Sequence, residues 1–201
     1  MKSLISSLII LISIFTIEAQ TSKKIQQIKD FQQKLNTEFA DPEKSPLTAQ
    51  DLKKFEGLTF FEIDTNYVIN VEFVRTPSES PFAMPTTTDR TPIYVKYGEA
   101  YFKINGKPYK LNIYQSQELI TNPEYLDYLF IPFTDKSNGH GSYPGGRYID
   151  FKIPTSNHIS LDFNKAYNPY CAYSGSYSCP IPPAENNLSV AIPVGVKYVK
   201  K

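Results

Sequence analysis

The sequence predicts a mainly β protein, an antiparallel sandwich or partly closed barrel of about seven to ten short strands carrying an N-terminal amphipathic helix. Three observations predict it. The 201 residues include 15 Tyr, 13 Phe and 16 Pro but no Trp, an aromatic, turn-punctuated mixture that favours short strands over helices. Beyond residue 58 the apolar residues alternate singly instead of recurring at helical spacing. Asn105-Gly106 stands between two such alternating runs, the strongest short-range hairpin signal because both residues tolerate positive φ.

The elements follow in order. Residues 1–19 have the layout of a secretory signal peptide: Lys2, an uncharged apolar run over 4–15, then Ala19 ahead of Gln20. The run is shorter than the roughly 20 residues that span a bilayer, so no stable membrane insertion is expected after cleavage. A helical arm over 20–57 comes next. Ile25, Ile28, Phe31 (or Gln32), Leu35 and Phe39 fall on one face of a helix over 23–39, which Asp41-Pro42 ends. A shorter helix over 47–57 starts at a capping-box-like Thr48 and Asp51 and stops at Gly57.

The β-rich part occupies 58–201, with 20–201 a single structural unit. Residues 59–64 and 67–75 read as strands, the latter alternating Tyr67, Ile69, Val71 and Phe73 against polar neighbours. Residues 76–92 form a Pro/Ser/Thr-rich loop. The hairpin about Asn105-Gly106 follows, then a strand over 125–133. A second hairpin is expected over 146–163, turning at 154–157, and a last strand or two over 188–199.

Twenty-one basic residues against twenty acidic ones leave the chain nearly neutral. That excludes the electrostatic footprint of a nucleic-acid-binding protein. Cys171 and Cys179 are separated by seven residues including Gly175. After export they suit a disulfide; zinc and free thiols are the alternatives, and zinc would need further ligands that the two histidines, His140 and His158, do not supply nearby. Gly139, Gly141, Gly145 and Gly146 lead into Arg147, which reads either as an anion cradle with its charge partner or as a turn with Arg147 paired to Asp150 or Asp162. Asp150 and Asp162, on the two arms of the expected second hairpin, could share acid–base work, with Asn164 on the same face as Asp162. Ser137 and Ser142 near His140 do not make a triad, and no Gly-x-Ser-x-Gly elbow is present. No metal or cofactor is implied.

Four stretches, SPL at 45–47, FEGLTFFEID at 55–64, GGRYIDFKIP at 145–154 and LDFNKAYNPYCAYSGSYSCPIPPAENNL at 161–188, resemble the DUF1684 family over about residues 25–199. The resemblance implies that the Arg147 segment and the Asn/Cys/Pro loop belong to one domain. It places Arg147, Asp150, Asp162, Asn164, Tyr167, Asn168, Pro169, Cys171, Tyr173, Cys179, Pro180 and Asn186 at the family's motif positions. Pro144 stands where the family pattern has a further glycine, which weakens the anion-cradle reading.

Three functions remain open. A binding module would present a polar-aromatic pocket for a small polar or anionic ligand, with Arg147 meeting the charge, Tyr167 and Tyr173 stacking, and Asp150, Asp162, Asn164, Asn168 and Asn186 supplying polar contacts. A hydrolase-like enzyme would use Asp150 or Asp162 as base and Asn164 or Asn168 as oxyanion donor. A structural domain would bury the same cluster as a hydrogen-bond network.

Overall fold

The computed structural model describes the backbone of residues 2–199 and the side chains of residues 20–199. The expected signal peptide, residues 1–19, lies outside the described side chains. Helix α1 (Lys2–Ala40) stops where expected, at the residue before Asp41. Its apolar face docks: Ile28, Leu35 and Phe39 are buried, and Phe31, Phe55 and Phe60 pack against the cluster of Leu35, Phe39 and Val196. The capping box at the head of α2 (Ala49–Leu52) is present, Thr48 Oγ1 accepting from the Asp51 N–H. No helix among the described residues is long and apolar enough to cross a membrane.

The β part is one sheet in the order β6-β5-β4-β3-β1-β7, with two short additions. Strands β1 (Val68–Arg75), β3 (Ile93–Ile104), β4 (Lys107–Ser116), β5 (Tyr128–Asp135), β6 (Arg147–Lys152) and β7 (His158–Asp162) all pair antiparallel. Two-residue β2 (Phe82–Ala83) adds to β3, and β8 (Asn187–Leu188) runs parallel along β5. Asn105 (φ 50°) and Gly106 (φ 76°) form the tight turn between β3 and β4, with Ile104 opposite Lys107. Phe102 and Ile104 are buried, as their alternation predicts.

The second expected hairpin does not exist. β6 pairs with β5 and β7 pairs with β1, so the two strands are the opposite edges of the sheet. Only residues 153–157 join them. Five spacings of about 4.8 Å would hold the edges of a flat sheet about 24 Å apart, while that link reaches at most about 21 Å. The sheet must therefore curl, and the result is a half-barrel with its seam between β6 and β7. The main core fills the concave side: Ile69, Val71, Phe73, Leu111, Ile113, Leu129, Ile131, Phe133, Ile149 and Phe163.

Two further expectations are corrected. Residues 59–64 form no strand; only Phe60 bridges to Val196, and Asp64 instead caps a turn at Thr65–Tyr67. Beyond β8 no further strand forms over residues 189–199, a stretch that Pro193 and Gly195 interrupt.

The long irregular run after β7 needs partners for its backbone, since buried N–H and C=O groups are costly when unpaired. Buried side chains supply them. Asn164 takes the place of a strand, accepting from the Asp64 N–H (3.0 Å) and donating to the Asp64 carbonyl (2.9 Å). Asn186 does the same for Asn112 and also donates to the Pro132 carbonyl at 2.7 Å. Asn168 donates to the Lys197 carbonyl.

Candidate functional site

Successive side chains of a strand face opposite sides, so β5 and β6 each carry two different faces. Leu129, Ile131 and Phe133 of β5, and Arg147 and Ile149 of β6, face the main core. Tyr128 and Phe130 of β5, and Tyr148 and Asp150 of β6, face the other way, Phe130 standing opposite Asp150 in the register. Tyr94, Tyr114 and Met84 extend this second aromatic layer.

Two elements wall the layer in. α1 contributes Phe31, Lys34, Leu35 and Glu38 from one side. From the other, the segment after β7 runs along the free edge of β6, where Tyr148 and Tyr167 exchange backbone hydrogen bonds of 2.9 and 3.0 Å. It then brings Tyr170, Tyr177, Ser178, Cys179 and Pro180 over the layer. The Tyr148 hydroxyl donates to the Pro180 carbonyl and ties that cover down. What remains between the walls is a cavity of about 500 Å³.

Asp150 is the carboxylate on its floor. Its Oδ1 accepts two phenolic hydrogen bonds, from Tyr128 (2.7 Å) and Tyr167 (2.5 Å). Asp150 is exposed to solvent through the cavity, with the aromatic walls crowding close around it. Desolvation by those walls raises the Asp150 pKa above the ordinary carboxylate value, against the lowering effect of the two tyrosine donors. Burial and the neighbouring carboxylate together push the Tyr128 and Tyr167 hydroxyls well above the usual tyrosine range, so both remain donors.

The residues singled out from sequence divide sharply. Asp150 and Tyr167 meet in the cavity, and Cys179 lines its wall. Asp162 lies on the far edge strand and caps the turn Phe163–Lys165, accepting from the Asn164 N–H and side-chain amide. It shares no site with Asp150. Asn164, Asn168 and Asn186 are buried against backbone, and Tyr173 packs edge-on to Phe39 at 4.9 Å while its hydroxyl accepts from Asn168.

Arg147 pairs with neither Asp162, Asn164 nor Asn168. It is fully buried on the core face, where it donates to Asp135 Oδ2 (2.7 Å), Ser137 Oγ (3.3 Å) and the carbonyls of Ile192 and Val194. With these donors committed, Arg147 is not available as the charge partner for an anion at the glycine-rich loop before it. Gly146 (φ 95°) is required because a Cβ there would meet Pro182 at 2.7 Å and the Phe133 carbonyl at 2.8 Å. Ser137 and Ser142 hydrogen-bond each other at 2.8 Å inside the same turn.

The two cysteines are unbonded neighbours. The Cys171 N–H donates to Cys179 Sγ at 3.1 Å. Hydrogen bonding from the Cys179 thiol, against the opposing effect of burial, brings the Cys171 pKa down to about 7, and the Cys179 thiol is correspondingly raised. Among the described residues no group of three or more His, Cys, Asp or Glu is arranged to hold a metal ion.

Tyr94, Tyr128, Tyr148, Tyr170 and Tyr177 were not singled out by sequence. The signal for one of them is present: Tyr148 alternates with Arg147 and Ile149 and shares its face with Asp150, so β6 has a polar-aromatic second face. Nothing local marks Lys34 or Glu38, which reach the cavity only through the docking of α1.

A half-barrel with a tyrosine-walled cavity on its outer face defines the class of domain. The chain belongs to the DUF1684 family, described as a protein of unknown function, whose pattern matches residues 53–197. The match starts after α1 and α2 and takes in every stretch quoted from sequence except SPL at 45–47. The solution structure of the uncharacterized protein from gene locus rrnAC0354 of Haloarcula marismortui is similar, with 29% identity and a TM-score of 0.69 over 89% of this chain and 96% of that one. No curated protein matches the sequence.

Proposed function

We propose that this chain is an exported binding protein and that the tyrosine-walled cavity takes a small polar ligand. One observation carries the reading: Asp150 sits on the floor of a 500 Å³ concavity between aromatic rings, with Oδ2 left over after Tyr128 and Tyr167 bond to Oδ1. Concave, mostly aromatic sites with a few convergent polar groups are the usual form of small-ligand sites. Arg147, committed to Asp135 on the core face, contributes nothing to the cavity, so the anionic-ligand version loses its charge partner.

A thermal-shift screen of small polar aromatic compounds, sugars and nucleosides tests the reading, because a ligand that binds only the native state raises its apparent stability. Leu119→Trp, at the edge of the cavity, should leave the unliganded melting temperature unchanged and remove the ligand-induced shift. A shift that survives this substitution places the ligand elsewhere.

Export is part of the same proposal, supported by the leader-like 1–19 stretch. Mass spectrometry of the mature chain should find Gln20 at its N-terminus. In an oxidising compartment Cys171 and Cys179 would close as a disulfide across the segment that roofs the cavity.

A further inference from the structure

We infer that the cavity's ligand carries a primary ammonium group, seated on Asp150 Oδ2 and on the hydroxyl oxygens of Tyr128 and Tyr167. The inference rests on the binding reading and narrows it to a class of compound, cationic amines with a compact apolar or aromatic body.

Donor and acceptor counting leads there. A tyrosine hydroxyl has one proton and two lone pairs. Tyr128 and Tyr167 both commit that proton to Asp150 Oδ1, so what they turn to the cavity is acceptor capacity. Their two bonds meet on one atom, which keeps the hydroxyl oxygens within about 5 Å of each other. Among the described residues, Oδ2 of Asp150 has no hydrogen-bond partner. Three acceptors thus converge on the floor, with no free donor among them. A primary ammonium brings three N–H donors and no acceptor.

Charge points the same way. The cavity's other ionised residues, Lys34 and Glu38 on α1, lie 3.8 Å apart as an i,i+4 pair and offset each other. Asp150 makes no ion pair among the described residues; Lys34 acts on it only at longer range and Glu38 opposes that effect. The surrounding rings of Tyr94, Phe130, Tyr148, Tyr170 and Tyr177 present π-systems, which attract cations and are indifferent or hostile to anions. Desolvation by the crowding walls disfavours the charged form of Asp150 even though the cavity leaves it exposed, and a bound cation is the species that would relieve that cost.

The test titrates the full chain with four probes sharing one body: phenethylamine, phenethyltrimethylammonium, 2-phenylethanol and 3-phenylpropanoate, followed by calorimetry and by NMR shifts of the cavity tyrosines. The amine should bind at least tenfold tighter than the alcohol, and the propanoate should not bind. Asp150→Asn should weaken the amine at least tenfold and the alcohol far less; Tyr128→Phe should weaken the amine by a smaller factor, and an unchanged far-ultraviolet circular dichroism spectrum of each variant separates loss of the seat from loss of folding. Equal binding of the trimethylammonium probe overturns the three-donor seat. Binding of the alcohol or propanoate in preference to the amine overturns the cationic assignment while the binding reading stands. If none of the four perturbs the cavity tyrosines, the amine seat fails, and the binding reading then depends on the Leu119→Trp screen alone.

Discussion

The Arg147 guanidinium meets the Asp135 carboxylate at 2.7 Å, and neither side chain exposes any surface to solvent. The pair sits at the junction of β5, β6 and the C-terminal run. Asp135 Oδ1 accepts from the N–H groups of Ser137 (2.7 Å) and Ile192 (3.1 Å), while Arg147 donates to the carbonyls of Ile192 and Val194. Burial lowers the Arg147 pKa and the Asp135 charge works against that shift. Of the residues that the sequence offered for a ligand site, Arg147 is thus committed to a buried ion pair.

Breaking the pair should therefore cost stability without touching the cavity. Asp135→Ala leaves a buried arginine unpaired, a change that costs about 3–5 kcal/mol. Arg147→Met should destabilise in the same direction. Urea denaturation reads the loss, and amine binding, measured below the transition, should be unchanged. A variant that folds normally but loses ligand binding would return Arg147 to the site.

The strands of the β3–β4 hairpin were legible because their pairing is local and their turn chemistry is explicit. The β6–β7 arrangement was not. Two strands five residues apart look like a hairpin in sequence, and only the closure of the sheet, set by β1 pairing to β7 across a long separation, makes them opposite edges. The site divided for the same reason. Asp150 and Tyr167 could be named from their motif, but Asp162 was grouped with them through a hairpin that does not form. The walls from α1 depend on tertiary docking, which no local pattern encodes.

The turn itself makes a sharp test. Gly106 has φ 76°, and nothing stands within 4 Å of where its Cβ would be, so the cost of a side chain there is conformational alone. Gly106→Ala should lower stability by about 1–2 kcal/mol, the cost of a left-handed backbone for a residue with a Cβ. Chemical denaturation should show a shifted midpoint with an unchanged slope.

The thiol pair predicts unequal reactivity. With its pKa near 7 and partial exposure, Cys171 should react with N-ethylmaleimide at pH 7 well before buried Cys179. Glutathione disulfide should close the pair, two thiols losing two protons and two electrons as the oxidant becomes two glutathione thiols. The bridged form should be more stable by about 2–3 kcal/mol in the chain-entropy model, and peptide mapping should find Cys171 joined to Cys179. Equal labelling of both thiols would mean that the asymmetry is absent in solution.

Asp150 gives the last prediction, and its sign follows from linkage. Desolvation raises the carboxyl pKa in the folded state above its unfolded value, so the folded chain holds that proton more tightly. The penalty is absent at pH below the ordinary carboxylate value of about 4. It grows as pH rises through that value and is complete above the folded pKa. Asp150→Asn removes the charge but keeps an oxygen to accept from Tyr128 and Tyr167. The variant should melt at a higher temperature than the wild type at pH 7, with the difference closing as pH falls below about 4. The other groups facing Asp150 do not reverse this. Tyr128 on β5, Tyr148 on β6, Tyr94 on β3, and Tyr167 and Tyr170 on the covering segment are all raised above the ordinary tyrosine value, outside the window. On α1, Glu38 raises and Lys34 lowers the Asp150 pKa, so the two effects oppose each other. A carboxylate retained at a position where its amide is more stable is what a site kept for binding looks like, since such sites trade stability for function. A lower melting temperature for the variant at pH 7 would instead make the two tyrosine bonds to Asp150 a net structural gain and remove the energetic argument for a waiting cation.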